Sequence, residues 1–136
     1  MISEIYACGR NGVSAFMVVE QGVVVHYGSY QWNGVIDFEG IQGPADDLNC
    51  EILAVVCGMM LCQNDGRKLV NIYTGNYNTH ERYNLGMCDS PFIACVKRHR
   101  EGMNLHSDKW PEEFLEQGQW VKNQFISQCE DMVNKD

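Results

Sequence analysis

The spacing of apolar and polar positions changes several times along the chain, and each change marks an element. Residues 2–8 (ISEIYAC) are short, apolar-rich and stop at Gly9, which predicts a strand. Residues 13–20 (VSAFMVVE) and 23–30 (VVVHYGSY) are two more β-rich runs around Gln21-Gly22, the spacing of a hairpin. The opening therefore predicts three antiparallel strands in a meander. Residues 31–46 hold three glycines and a proline and predict mainly loop. At Asp46-Asp47 the spacing turns helical, and either acid can cap a helix from about Leu48 to Cys62. Leu48, Ile52, Val55 and Met59 form one stripe with Leu53, Val56 and Met60 beside it, a belt wide enough for a helix buried against a sheet.

Asn64-Asp65-Gly66 ends that helix, and residues 68–74 (KLVNIYT) predict a strand. A strand reached through a crossover helix is expected to run parallel to an earlier one. Residues 77–87 predict a short helix, and residues 91–97 (PFIACVK) a fifth strand opening on Pro91, which a strand's first residue tolerates. A polar loop over 98–109 follows, then a final helix from Pro111 to about Val133. The order βββ-α-β-α-β-α specifies an α/β domain with a mixed sheet.

The length of 136 residues suits one domain over 1–136, and neither a repeat nor a linker divides it. Apolar residues at 45% and charged residues at 21% exclude a disordered or fibrous chain. A net charge of −8 argues against generic polyanion binding, because Lys and Arg carry the phosphate contacts. One basic cluster, Lys97-Arg98-His99-Arg100, stands against that background as the candidate nucleic-acid contact; its plain alternative is a solvated strand end. The longest apolar run, Ile52 to Cys62, is half a membrane span, so no membrane partner is expected. No secretory signal is present, so the seven cysteines read as reduced thiols of a cytoplasmic protein. They lack zinc-site spacing.

Several stretches, in order, resemble the ribonuclease H family. Glu4-Ile5-Tyr6-Ala7-Cys8-Gly9 is similar to its first strand, which usually ends Thr-Asp-Gly. Asn49-Cys50-Glu51 resembles the start of its buried helix, and Val70 to Asn76 its fourth strand, Ile-Tyr-Thr-Asp-Ser. Val96-Lys97-Arg98-His99 resembles its Val-Lys-Gly-His segment, and Asn104 to Asp108 its Asn-x-x-x-Asp. The resemblance implies a ribonuclease H-like fold: a five-stranded mixed sheet, three antiparallel strands then two parallel, flanked by helices. It also implies phosphodiester hydrolysis by two cations, Mg²⁺ or Mn²⁺, held by four carboxylates.

Carried over position by position, that site becomes Cys8, Glu51, Gly75 and Asp108, so two of the four carboxylates are replaced. A thiol is a soft ligand and a poor one for Mg²⁺, and glycine offers none. The site is therefore expected to be degenerate, with Glu51 and Asp108 the metal ligands if a metal binds and no cofactor otherwise. Glu130, within Cys129-Glu130, rivals Asp108 but lies too far beyond His99 for the family's spacing. Glu51 also reads as a first-turn acid favoured by the helix dipole, and Asp108 as a capping residue. Cys8 would act as a nucleophile only with a nearby base such as His99, and otherwise fills the core.

The leading expectation is a non-catalytic binding module for an RNA·DNA hybrid, single-stranded nucleic acid or a protein. The alternative is a divergent nuclease that rebuilds its site from Glu51, Asp108 and an acid of residues 37–47. A third reading is a protein-interaction domain with no nucleic-acid role.

Overall fold

The β-rich N-terminal third turns back on itself twice. The computed structural model describes residues 2–74, 89–102 and 123–134. Strands β1 (Ile2–Arg10), β2 (Val13–Glu20) and β3 (Val23–Gln31) form the expected antiparallel meander, with Ser3 opposite Glu20 and Val13 opposite Gln31. Both links are two-residue turns, Asn11-Gly12 and Gln21-Gly22, with φ between 50° and 77°. Turns of that hand match the twist of the strands they join.

A short hairpin, β4 (Val35–Phe38) and β5 (Ile41–Pro44), leads to helix α1 (Asp47–Asn64). Asp46 is the cap: its side chain accepts the Asn49 backbone N–H at 2.8 Å. The chain then enters β6 (Leu69–Thr74), which pairs parallel with β1 from Ile2↔Leu69 to Ala7↔Thr74, so the sheet order is β3-β2-β1-β6. The parallel strand after the crossover helix is as the sequence predicts.

The sheet carries a layer on each face. On one, α1 presents Ile52, Leu53, Val56 and Met59 to Ile5, Ala7, Val18 and Ile72. Helix α2 (Ile93–Gly102) joins that core through Phe92, Cys95 and Val96. On the other, helix α3 (Gln124–Val133) sets Ile126, Cys129 and Val133 against Tyr6, Cys8, Ala15, Met17 and Val19. No helix among the described residues is long and apolar enough to cross a membrane.

Three expectations change. Residues 91–97 are not a fifth strand: α2 begins there and runs through residues expected to be loop. The β-prone composition hid a helical spacing, since Phe92, Cys95 and Val96 fall at i, i+3 and i+4 and all are fully buried. Ser90 starts the turn, its hydroxyl oxygen accepting the Phe92 N–H at 3.2 Å. The sheet among the described residues is accordingly four-stranded, with β4–β5 a separate two-stranded sheet. That hairpin occupies the expected loop, because Glu39-Gly40, at φ 52° and 80°, makes a strand-joining turn from the same residues that signal a loop. The expected helix at 77–87 and the start of the one at Pro111 lie outside the described residues.

Candidate functional site

The end of β1 and the start of α1 meet at Gly9. A Cβ there would lie 2.0 Å from the Glu51 backbone nitrogen and 2.7 Å from the Asp47 carbonyl oxygen, so only glycine lets the helix come this close. Three polar contacts anchor the helix start. Ser14 of β2 donates its hydroxyl to the Cys50 carbonyl at 2.6 Å and accepts the Trp32 indole N–H at 2.9 Å. Asn49 donates to the Pro44 carbonyl at 2.9 Å, and Ser90 donates to the Asn49 side chain at 2.6 Å. Strand, hairpin and the approach to α2 thus converge on the first turns of α1.

Glu51 sits in the second turn of α1 rather than the first and is 1% exposed; Asp47 is the first-turn acid. A surface charge stabilised by the helix dipole is therefore not its role, because a carboxyl at such depth is costly to bury without specific contacts. Cys8, one residue before Gly9, follows the strand's alternation onto the opposite face of the sheet. It is 7% exposed, and its sulfur lies 4.0 Å from the Ile126 carbonyl of α3. The α3 contact is reciprocal: the Cys129 thiol donates to the Tyr6 carbonyl at 3.6 Å. Cys8 and Glu51 therefore flank the same end of β1 from its two faces.

His99 is elsewhere. Its ring nitrogens lie 3.3 Å from Gln63 Oε1 and 2.5 Å from Glu39 Oε1, at the far end of α1. Twelve residues of helix separate Gln63 from Glu51, about 18 Å at ~1.5 Å per residue, so His99 cannot serve Cys8 as a base. Arg98 is engaged there too, donating to Glu39 Oε2 at 2.6 Å. Burial pushes the Glu39 carboxyl up, but hydrogen bonds and charge from His99 and Arg98 outweigh it and hold it below the usual carboxylate range. The basic cluster thus stands on the last turns of α2, not on a strand end beside Cys8. Two of its four members clamp the β4–β5 hairpin. The spacing missed Glu39 because an acid in a turn looks solvated.

The thiols are sheltered. Burial pushes Cys50, Cys57 and Cys62 up to about 11, with Asp46 and Asp47 adding to it at Cys50 and Arg67 partly opposing it at Cys62. Among the described residues no three His, Cys, Asp or Glu side chains gather closely enough to hold a metal ion. Gly75 and Asp108 lie outside those residues. Glu130 lies on α3, next to the Cys129 that contacts β1.

No protein-family model matches the sequence, and no curated protein does. Among solved structures the chain is similar to a ribonuclease H1 isolated from compost by a metagenomic approach, at a TM-score of 0.55 and 13% identity. The superposition covers 97% of this chain and 92% of that one. The fold is ribonuclease H-like. At this identity the likeness carries the architecture: the β3-β2-β1-β6 sheet, the buried crossover helix and a further helix on the opposite face.

Proposed function

We propose that this chain is a ribonuclease H-like domain that binds nucleic acid, as an RNA·DNA hybrid or a single strand, without hydrolysing it. The observation that carries the reading is Cys8. It stands near the end of β1, next to the Gly9 that meets the start of α1, where the family's first carboxylate is expected, and its thiol is turned to the opposite face, into the apolar contact with α3. Mg²⁺ and Mn²⁺ want oxygen ligands, and a buried thiol beside Ile126 does not supply one. The described residues accordingly do not fit a pair of such ions, and no step is routed through them. The fold supports a nucleic-acid role, while the exposed Lys97 on α2 offers a phosphate contact.

Binding of a labelled hybrid and a labelled single strand, followed by anisotropy across a salt series, tests the proposal. Affinity that falls steeply as salt rises, and weakens in Lys97→Ala, supports it. Absence of binding even at low salt refutes it and directs the search to a protein partner. A divergent nuclease is the second reading, and the burial of Glu51 at the head of α1 favours it. In that case Glu51 would work with Glu130 or Asp108, and binding would be accompanied by cleavage.

A further inference from the structure

Beyond the Cys8 end of β1, the opposite end of the same strand carries a second constellation. Side chains at Ile2, Glu4, Tyr6 and Cys8 share one face of β1. Helix α3 packs on the latter two, while Ile2 remains 53% exposed. Over Ile2 and Glu4 lies an open cleft of about 620 Å³, lined among the described residues by Ile2, Glu4, Gln21 and Asn71. Asn71 is the β6 register partner of Glu4, so the two side chains stand next to one another on one face. Gln21 arrives from the β2–β3 turn, where a φ of 50° fixes its backbone.

The cleft has a defined chemistry. Glu4 is half-buried and accepts the Tyr6 hydroxyl at 2.8 Å, which holds its carboxylate in place. Tyr6 is braced by stacking on Tyr73, ring centres 5.1 Å apart. Among the described residues no cation pairs with Glu4. Arg67, which bonds Ser3, Glu20 and Asp65, is committed on the other face of the sheet. A carboxylate and two side-chain amides thus supply three acceptors, and an ammonium group has three donors. Ile2 and its register partner Leu69, 53% and 57% exposed, add an apolar rim for a hydrocarbon stem.

We propose that this cleft binds a primary alkylammonium group, with Glu4, Asn71 and Gln21 around the nitrogen and Ile2 and Leu69 along the chain. Free polyamines and lysine side chains of a partner protein share that chemistry. The site is about 13 Å along β1 from Cys8, at ~3.3 Å per residue, and does not depend on the nucleic-acid reading.

The test is a titration of the isotope-labelled protein with n-butylammonium, following backbone amides by NMR. The expected result is saturable shifts at residues 4, 21 and 71 in the millimolar range. Binding weakens at least ~10-fold, about 1.4 kcal/mol, in Glu4→Gln. Glutamine keeps an acceptor for the Tyr6 hydroxyl, so that variant retains the fold; Asn71→Ala provides a second loss of affinity. Tetramethylammonium, which has no N–H donors, should not substitute. Spermidine and a lysine-containing peptide then separate the two sources by which binds more tightly. Shifts that fail to saturate, or equal affinity in wild type and Glu4→Gln, overturn the proposal.

Discussion

Replacing Gly9 by alanine should break the seat of α1 on the central strand. The added Cβ would lie 2.0 Å from the Glu51 nitrogen, 2.5 Å from the Cys50 carbonyl carbon and 2.7 Å from the Asp47 oxygen. All three are backbone, so no rotamer change relieves the clash. Restoring an ordinary contact of 3.4 Å or more requires the helix start to retreat by about 1.4 Å. A gap of only ~0.5–1 Å already forfeits a quarter to a half of a van der Waals contact, and Ile52, Leu53 and Val56 are all fully buried in that layer. Overpacking of a core costs ~1–3 kcal/mol, and a backbone clash belongs at or above the upper end. About 3 kcal/mol in a domain of this size lowers Tm by roughly 6–12 °C. Urea unfolding measures it directly, with Gly22→Ala as the control. That residue has φ +77° and nothing within 4 Å, so the control should lose only the ~1–2 kcal/mol of a left-handed alanine. If Gly9→Ala is no more destabilising than Gly22→Ala, the close approach of β1 and α1 is wrong.

Two further outcomes follow from other parts of the molecule. Because the folded-state pKa of Glu39 is depressed, its stabilising contribution is present above the ordinary carboxylate pKa and is lost as pH falls through the depressed value. Glu39→Gln should therefore cost under about 1 kcal/mol at neutral pH, and its gap from wild type in urea should close in acid below about pH 4. A gap that persists unchanged at low pH would deny the clamp its charge. Separately, Cys50, Cys57 and Cys62 should react with a disulfide reagent at neutral pH far more slowly in the folded protein than in urea, since only thiolates attack. Rapid modification of all three in the native state would contradict their burial.

The sequence makes the β-meander, the buried crossover helix and its parallel strand legible, because each rests on a local signal: Gln21-Gly22, the Asp46 cap and the broad apolar belt. It misleads at residues 91–97, where Phe92, Ile93 and Val96 are β-prone in isolation but are claimed as a helix by packing on α1. That one misreading displaces the basic cluster from the Cys8 end of the molecule to the opposite end of α1. Cys8 and Glu51 can be picked out in the sequence as neighbours of the β1 end. That they approach it from opposite faces requires the strand's alternation and the Gly9 contact. The Glu39 clamp is invisible to motif reasoning, since it depends on side chains about sixty residues apart meeting across the fold.

We propose that Cys8 leaves this ribonuclease H-like fold without hydrolysis. The most direct measurement is incubation of the purified protein with an RNA·DNA hybrid in Mg²⁺ and in Mn²⁺, beside a Glu51→Gln variant. The expected result is an intact hybrid with both proteins and both ions. Metal-dependent cleavage by the wild type that disappears in Glu51→Gln would contradict it.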